Sequence, residues 1–369
     1  MMTGGGRRRP ARAVGRLSRV LDGSGAYRSG MTESTSHPAA ADVEQAVALA
    51  VRAPSIHNTQ PWRWVFTGDS LRLYADRSRQ LAAIDPDGRG LLVSCGGALY
   101  LAWLALAAQG WQVEVERLPD PADPDLLAQL WITGRGAPDE ATRAAATAAA
   151  RRHTDRRPFR TDPVPEALLA ELSKAADADG VYGHLVIRDD ERLDLAVVVS
   201  WADRVETSDE AYRAELARWV RPDAEHAGEG VPPAAVPHVP AEAPRHTEVP
   251  VRDFELGAAG AEPIPAAVDE KPAYLVIFTD VDSEEARLRG GEAYVRVSVE
   301  AERLGLASSA LTQGIDLPGV RARMRALMSW PDHPQMILRV GWPTSDPAPP
   351  STPRRPVTDV LTVLDSPPQ

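Results

Sequence analysis

The sequence predicts an α+β protein made of two related halves, and three observations support this. Segments with helical and strand-like patterns are mixed along the chain and form no regular strand–helix–strand series, which favours an α+β architecture. The chain has 369 residues, 43% of them apolar, so it can bury a large core. Residues 96–100 (GGALY) and 290–294 (GGEAY) match at an offset of 194 residues, and each opens a long predicted helix. This match indicates an internal repeat.

The elements of the first half are predicted from periodicity and from turn residues. Val43, Ala46, Val47 and Ala50 form one apolar helical face, and Ala53 before a proline is a natural end for that helix. Strand-forming residues flank a turn at 68–69, and a long apolar segment follows. The predicted elements are a helix at 40–53, strands at 62–66 and 71–74, a helix at 91–108, a strand at 112–118 and a helix at 139–152.

The second half repeats this order. We predict a helix at 165–176, strands at 184–187 and 273–278, a helix at 291–304, and strands at 336–340 and 357–364. The halves are expected to span residues 38–140 and 141–369. Residues 201–270 fit neither half, because they are rich in Pro, Ala and Glu. So long a connection is either a lid over a site or a floppy insertion, and the sequence supports both equally.

Charge divides the chain into a basic arm and an acidic body. The first thirty residues carry seven arginines and one aspartate, whereas the whole chain has a formal net charge of −11. We expect residues 1–37 to be a disordered arm, since the segment is rich in Gly and Arg and lacks the apolar core of a secretion signal. Nucleic-acid contact through the arm is the weaker alternative. The acidic remainder argues against a protein that binds nucleic acid or an anionic membrane.

Cysteine and histidine content limits the chemistry further. Cys95 is the single cysteine, so neither an intramolecular disulfide nor a thiolate metal cluster can form. The eight histidines lack metal-ligand spacing, and no metal centre is expected. A lone cysteine fits the cytoplasm. Residues 91–108 approach the length of a membrane-spanning helix, but Ser94, Gly96 and Gly97 interrupt them, so we interpret the segment as a buried core helix.

The segment 52–62 (RAPSIHNTQPW) is the most unusual part of the chain. Small polar residues between two prolines offer backbone N–H groups and amide side chains, which suit a planar heterocycle with many hydrogen-bonding edges. A rigid loop after a helix, with Trp62 in the core, explains the same residues equally well. His57 could contact a ligand or bond to the backbone.

Two basic elements could bind phosphate. Residues 151–157 (RRHTDRR) place four arginines in seven positions, and Arg354 and Arg355 form a pair near the C-terminus. Guanidinium forks bind phosphate oxygens bidentately, and a threonine hydroxyl adds a donor. The two elements could converge on one phosphate. For the first run taken alone, a solvated basic helix end is the alternative.

Together these segments resemble the FMN-dependent nitroreductase family from about residue 38 to the end. The run from Pro54 to Trp62 is similar to the loop after the family's first helix, and Arg152-His153-Thr154-x-Arg156 resembles its phosphate-binding motif. Residues 302–308 (ERLGLAS), leading to Gln313, are similar to the helix end and strand beside the flavin ring. Arg354 and Arg355 fall where the family places late phosphate contacts.

A departure from the family pattern predicts a single site. Ordinary members are homodimers that carry the basic motif before the first helix and the loop after it. Here the first half has the loop without the motif, and the second half has the motif without the loop. The resemblance therefore implies a nitroreductase-like fold with an intramolecular pseudo-dimer, one FMN site and a dead second site. This pattern is similar to the fused, Acg-like branch of the family, and it allows a monomeric chain.

The resemblance also implies residue roles. Phosphate contacts are expected from the basic motif and the late arginine pair, and contacts to the ring or ribityl chain from the loop and the strand. The cofactor-binding residues are predicted to be Pro54, Ser55, Asn58, Gln60, Arg152, His153, Thr154, Arg156, Gln313, Gly314, Arg354 and Arg355. No catalytic acid or base is assigned, because flavin hydride transfer needs no protein nucleophile.

The implied activity is electron transfer from NAD(P)H through FMN to a small-molecule acceptor, such as a nitro compound or a quinone. Two alternatives stay open: a protein that stores FMN beneath residues 201–270 with little turnover, and an interaction protein that has lost its cofactor.

Overall fold

A computed structural model describes residues 37–235, 249, 271–344 and 352–364. The predicted basic arm at 1–37 lies outside these residues except for His37, and so does most of the 236–270 segment. The first half comprises α1 (Ala40–Ala50), β1 (Trp62–Phe66), β2 (Ser70–Ala75), α2 (Arg89–Ala108), β3 (Trp111–Arg117), β4 (Leu126–Arg135) and α3 (Glu140–Arg151).

The second half has more helices. It comprises α4 (Glu166–Ala176), β5 (Val181–Val186), α5 (Asp189–Ser208), α6 (Glu210–Trp219), α7 (Ala224–Ala227), β6 (Ala273–Thr279), α8 (Glu284–Arg303), β7 (Ala307–Ala310), α9 (Pro318–Leu327), β8 (His333–Gly341), α10 (Val357–Val360) and β9 (Leu361–Val363).

The two halves share one topology. The strand order is β1-β2-β4-β3 in the first sheet and β5-β6-β8-β7 in the second, and all of these pairs are antiparallel. In each half a helix precedes the first strand, and a 20-residue helix joins the second strand to the third. The chain then returns, because β9 adds to β1 as a parallel strand of the first sheet. The predicted repeat is therefore present as a repeated order of elements.

The helices α2 and α8 cross at the centre of the core through two glycines. A Cβ on Gly96 would overlap the carbonyl oxygen of Leu288, and a Cβ on Gly291 would overlap that of Val93. Only glycine allows two backbones to approach so closely. The two contacts are reciprocal. Gly291 corresponds to Gly96 and Leu288 to Val93, so equivalent positions of α2 and α8 are 195 residues apart.

This register corrects the predicted offset of 194 by one residue. The helices begin at Arg89 and Glu284 and are each 20 residues long, and each is followed by a glycine with positive φ, 93° at Gly110 and 74° at Gly305. The sequence match was misleading because tyrosine follows the glycine pair in both segments. Tyr294 in fact corresponds to Leu99.

The apolar segment at 91–108 is the buried core helix that we predicted. By length and composition α2 could cross a membrane, but 78% of its most apolar window is buried inside the protein. Its small residues let α1, α3 and α8 pack against it on several sides. Cys95 is fully buried in this core, and burial raises the pKa of its thiol.

Three predicted elements differ from the structure. The helix expected at 291–304 begins seven residues earlier, where Ser283 caps it by accepting from the amide of Ala286 at 3.2 Å. The strand expected at 357–364 starts as the short helix α10 and becomes strand β9 only at Leu361. Residues 201–208, expected to be part of a lid or insertion, continue helix α5.

Candidate functional site

The loop between α1 and β1 is held in a strained conformation. His57, Asn58 and Gln60 have positive φ angles of 44°, 57° and 50°, which are uncommon for residues other than glycine. The Ser55 hydroxyl accepts a hydrogen bond from the Gln60 amide at 3.0 Å, and the Ser94 hydroxyl of α2 accepts one from the Ile56 amide at 3.1 Å. Strain of this kind persists only where the surroundings enforce it, and it clusters at functional sites.

A cavity of about 90 Å³ lies between this loop, the start of α2, the middle of α8 and the segment after β7. Its walls combine apolar side chains with convergent polar ones, as ligand sites do. The residues that line it are Pro54, Ser55, Ile56, His57, Arg89, Gly90, Val93, Ser94, Arg156, Tyr294, Ala310, Thr312, Gln313, Asp316 and Met336. Both halves contribute, so the site spans the crossing of the two helices.

Next to the cavity lies a basic cluster formed by Arg52, Arg152 and Arg354. The guanidinium groups of Arg152 and Arg354 both donate to the carbonyl oxygen of Arg52, at 3.1 and 3.2 Å. Burial lowers the pKa of Arg152, and burial with the nearby Arg152 and Arg52 lowers the pKa of Arg354 to about 9. In the described chain the Nε atoms of Arg152 and Arg354 have no hydrogen-bond partner. Such a concentration of buried cations has the chemistry to accept an anion.

The basic cluster and the cavity are electrostatically connected. The charges of Arg152 and Arg156 act on the Tyr294 phenol, which lines the cavity, although burial dominates and raises its pKa. Arg156 itself lines the cavity, and its guanidinium donates to the Ala235 carbonyl at 3.4 Å. A ligand with an anionic tail and a planar head could therefore occupy both places.

Arg89 and Asp85 form a second charged group at the start of α2. Asp85 accepts from the amides of Gly90 and Leu91 at 2.7 and 2.8 Å, yet burial raises its pKa to about 7. Arg89 is 2% exposed and donates to the Gln335 carbonyl, and burial lowers its pKa to about 10. Within the described residues its Nε has no partner. Arg89 therefore brings a cation to the cavity wall.

The structure divides the predicted cofactor-binding residues into three groups. Pro54, Ser55, Arg156 and Gln313 line the cavity, and the Nε2 of Gln313 has no partner among the described residues. Arg152 and Arg354 belong to the basic cluster. The remaining six have other contacts.

Asn58 and Gln60 do not line the cavity, and their side-chain amides form hydrogen bonds with the backbone. Asn58 Nδ2 donates to the carbonyls of Gly230 and Pro353 at 2.8 and 2.9 Å, and Gln60 Nε2 donates to Gly228 at 2.8 Å. The Oε1 of Gln60 accepts from the amide of Arg355 at 2.9 Å.

The other four predicted residues also lie outside the cavity lining. The Arg355 guanidinium donates to the Gln60 carbonyl at 3.3 Å. Thr154 forms a bridge to Ser308 beside β7, and His153 is half-buried with Nδ1 3.4 Å from the Arg151 carbonyl. Gly314 is buried, and a Cβ there would overlap Met324.

Two of the partners of Asn58 and Gln60, Gly228 and Gly230, belong to residues 209–235, which we call the capping segment. Tyr212, Leu216 and Val231 pack with Leu81 and Ile84 in a small apolar cluster that also contacts Ile56 of the cavity wall. Glu215 accepts hydrogen bonds from the amides of residues 82–84 at 2.7 to 2.9 Å. The capping segment thus braces the outer side of the loop.

Several site residues were not predicted from the sequence. Arg52 and Tyr294 fell only within the segments 52–62 and 290–294, and Arg89 lies just before the helix predicted at 91–108. A signal existed for Arg89: an arginine at the start of an almost wholly apolar helix, preceded by Asp85 and Asp87, indicates a buried charged group. Arg52 gave no such signal, because its role depends on where Arg152 and Arg354 lie.

Comparison with known proteins identifies relatives along nearly the whole chain. The chain is 38% identical over 352 residues to "Putative NAD(P)H nitroreductase Rv3131" of Mycobacterium tuberculosis, covering 94% of this chain and 97% of that protein. It is 36% identical over 329 residues to "Putative NAD(P)H nitroreductase acg" of the same species, with coverages of 87% and 95%. No protein-family model matches the chain.

Solved structures give more distant likenesses. A nitroreductase with bound FMN from Desulfitobacterium hafniense has a TM-score of 0.38 and 14% identity, and covers 60% of this chain and 98% of that one. An iodotyrosine deiodinase bound to FMN and 3-iodo-L-tyrosine has a TM-score of 0.36 and 18% identity, with coverages of 57% and 95%. On the identity and coverage of the Mycobacterium tuberculosis relatives, the chain belongs to the NAD(P)H nitroreductase family, in its Acg-like branch.

Proposed function

We propose that the protein is an FMN-binding oxidoreductase that passes electrons from NAD(P)H to a small-molecule acceptor such as a nitro compound or a quinone. The observation that carries the proposal is the basic cluster of Arg52, Arg152 and Arg354 beside a cavity shared by the two halves. Membership of the nitroreductase family supports the same activity.

The donor set fits FMN in its chemistry. Among the described residues the Nε atoms of Arg152 and Arg354 have no partner and match a phosphate. The Nε2 of Gln313, likewise without a partner there, matches the polar edge of a heterocycle. The cavity volume of about 90 Å³ is below the range of roughly 300–1,000 Å³ that is usual for ligand sites. Full binding therefore requires the walls to open.

Each group of residues has a defined task in this proposal. Arg152 and Arg354 hold the phosphate, and the carbonyl of Arg52 fixes the orientation of both guanidinium groups. Pro54, Ser55 and Gln313 position the ring system, while Arg89 keeps a positive charge at the cavity wall. Bound FMN supplies the redox chemistry. No residue is assigned as a general acid or base.

The proposal extends to assembly and location. Because α2 and α8 of one chain form the crossing that frames the cavity, the site needs no second copy of the chain. The single buried cysteine supports a cytoplasmic location. No nucleic-acid or membrane partner is proposed.

The first test is the flavin content of the purified full-length chain. After incubation with excess FMN and removal of free flavin, we expect about one FMN per chain from the visible spectrum, and bleaching of that spectrum by NADH or NADPH without oxygen. A chain that retains and titrates no flavin would overturn the proposal and leave an interaction protein. About two FMN per chain would agree with a flavoprotein but would contradict the expectation that the second site is dead.

Storage of FMN is a second candidate function, and the capping segment favours it. Asn58 and Gln60 are committed to hydrogen bonds with this segment, and the cavity is small, so exchange of ligand with solvent is expected to be slow. One bound FMN that NAD(P)H does not bleach would support storage against turnover.

Glu215 offers a way to loosen the capping segment without touching the cavity. Replacing it with alanine removes three hydrogen bonds to the turn at 82–84. For a storage protein, Glu215→Ala should speed FMN release by roughly tenfold, the effect of about 1.4 kcal/mol. The matched control is Glu210→Ala, an exposed residue on the same helix. Equal release rates for the two variants would count against storage.

A further inference from the structure

A second concave site lies on the opposite side of the helix crossing. It is a groove of about 580 Å³ between α2, β3, α3 and α8. Its walls are apolar along α2 and charged along α8, with Leu99, Tyr100, Trp103, Val115, Arg117 and Arg296 among the lining residues. None of the residues predicted from sequence to bind a cofactor lines it.

The repeat relates this groove to the cavity. At the structural register of 195 residues, Leu99, Val115 and Arg117 of the groove correspond to Tyr294, Ala310 and Thr312 of the cavity. The groove is therefore the counterpart of the proposed flavin site in the other half.

The groove has lost the features of a flavin site. Arg117 extends from β3 and forms two hydrogen bonds to Glu292 of α8 at 2.7 and 2.8 Å, and Glu292 is 8% exposed. Both side chains line the groove. The basic cluster and the strained loop lie on the other side of the crossing, at the cavity.

An aromatic wall remains. The rings of Tyr100 and Trp103 stack with their centres 6.0 Å apart and their planes 26° apart, and both side chains are only partly buried. With Leu99, Leu104 and Val115 they form an apolar surface suited to a flat ring system.

One cation facing this wall, Arg296, has no counter-ion within the described part of the chain. The Arg296 guanidinium lies 5.7 Å from the centre of the Tyr100 ring and donates to the Asp177 carbonyl at 3.1 Å. The other lining arginines are paired, Arg117 with Glu292 and Arg303 with Glu300. Among the described residues no carboxylate pairs with Arg296.

We propose that this groove binds a planar aromatic molecule that carries one carboxylate group. The ring lies against Tyr100 and Trp103, and the carboxylate pairs with Arg296. The groove is a site in its own right, so the proposal goes beyond the proposed function and does not depend on flavin turnover.

The test is calorimetric titration of the flavin-treated full-length chain with naphthalene-2-carboxylate and with its uncharged amide. We expect saturable binding, with the carboxylate bound about tenfold more tightly than the amide. Arg296→Gln should remove that preference while leaving amide binding nearly unchanged. Trp103→Leu should weaken both ligands by about tenfold. These factors correspond to about 1.4 kcal/mol each.

Two control variants remove the same residue types elsewhere. Arg143→Gln removes an exposed arginine of α3, and Trp131→Leu removes an exposed tryptophan of β4, and neither residue lines the groove. Both should bind the probes as the unaltered chain does, and circular dichroism should show all four variants folded. Absence of saturable binding, or folded Arg296→Gln and Trp103→Leu variants that bind like the controls, would overturn the proposal. Flavin content is read separately in the visible spectrum, so failure of the flavin site is distinguishable from failure of the groove.

Discussion

The cavity and the groove differ more than the two halves that form them. Both lie at the same helix crossing, and three pairs of corresponding residues line them: Leu99 and Tyr294, Val115 and Ala310, and Arg117 and Thr312. A strained loop and a basic cluster lie beside the cavity, and in the described part of the chain several of the polar atoms there have no partner. The groove has an ion pair, Arg117 with Glu292, and an aromatic wall.

The contrast separates what the two halves share, the arrangement of the backbone, from what differs between them, the side chains that could bind a ligand. The backbone frame requires both halves, because each long helix needs the other's glycine for close packing. The binding groups come from segments outside the repeated strands, and these segments converge on one side only. The same repeated arrangement of helices and strands therefore surrounds two concave regions with different linings.

The largest effect is expected at the crossing itself. Gly96→Ala and Gly291→Ala each place a Cβ against a backbone carbonyl that cannot move alone. Each should lower the free energy of unfolding by about 3 kcal/mol in urea denaturation. Gly319→Ala is the control, since a Cβ there meets nothing within 4 Å. If only one of the two substitutions greatly lowers the free energy of unfolding, the two crossing glycines are not equivalent.

Arg152 distinguishes the cavity from the groove by ligand affinity. Arg152→Met removes one buried guanidinium from the basic cluster, and FMN affinity should fall about 100-fold, which corresponds to about 2.7 kcal/mol. The unliganded protein should be as stable or more so by about 1 kcal/mol, because this buried cation has no carboxylate partner among the described residues. Arg151→Met, at an exposed neighbour, is the control.

Fluorescence titration of FMN and thermal denaturation measure the two quantities. If Arg152→Met leaves the FMN affinity unchanged, the basic cluster does not bind the cofactor.

Asp85 makes the two helix starts respond differently to pH. Its counterpart at the register of 195 is the exposed Asp280. Burial raises the pKa of Asp85 from 3.8 to about 7, so the folded state binds a proton that the unfolded state has already released between these values. Stability should therefore fall by about 2 kcal/mol from pH 5 to pH 7.

Urea denaturation at both pH values checks this expectation. Asp85→Asn should flatten the dependence, and Asp280→Asn should leave it unchanged. If the free energy of unfolding of Asp85→Asn still falls steeply from pH 5 to pH 7, a group other than Asp85 binds the proton.

The smallest effect concerns the ion pair between Arg117 and Glu292, which line the groove. A double-mutant cycle with Arg117→Leu and Glu292→Leu should give a coupling energy of about 1 kcal/mol, because both side chains are mostly buried and bonded twice. The same cycle on the more exposed pair Arg303 and Glu300 should give about 0.3 kcal/mol. Both pairs line the groove, so equal couplings would mean that Arg117–Glu292 is no more desolvated than the more exposed Arg303–Glu300.

Much of the fold could be predicted because its signals are local. The apolar face of α1, the turn before β2 and the uninterrupted apolar run of α2 each depend on residues close together in sequence. Strand β4 and helices α5 to α7 and α9 were not predicted. Helices α6, α7 and α9 have ten residues or fewer, so their local signals are weak. The C-terminal strand β9 exists as a strand only because β1 offers it a partner.

The sequence by itself determined the α+β class, the repeat, the buried helix and the segments that form the candidate site, because residue type and spacing encode these features. Only the tertiary structure decided which residues face the cavity. It committed Asn58 and Gln60 to the capping segment and brought Arg52, Arg152 and Arg354 around one carbonyl. It also set the register of 195, because the closest approach of two backbones depends on the positions of Gly96 and Gly291 in space.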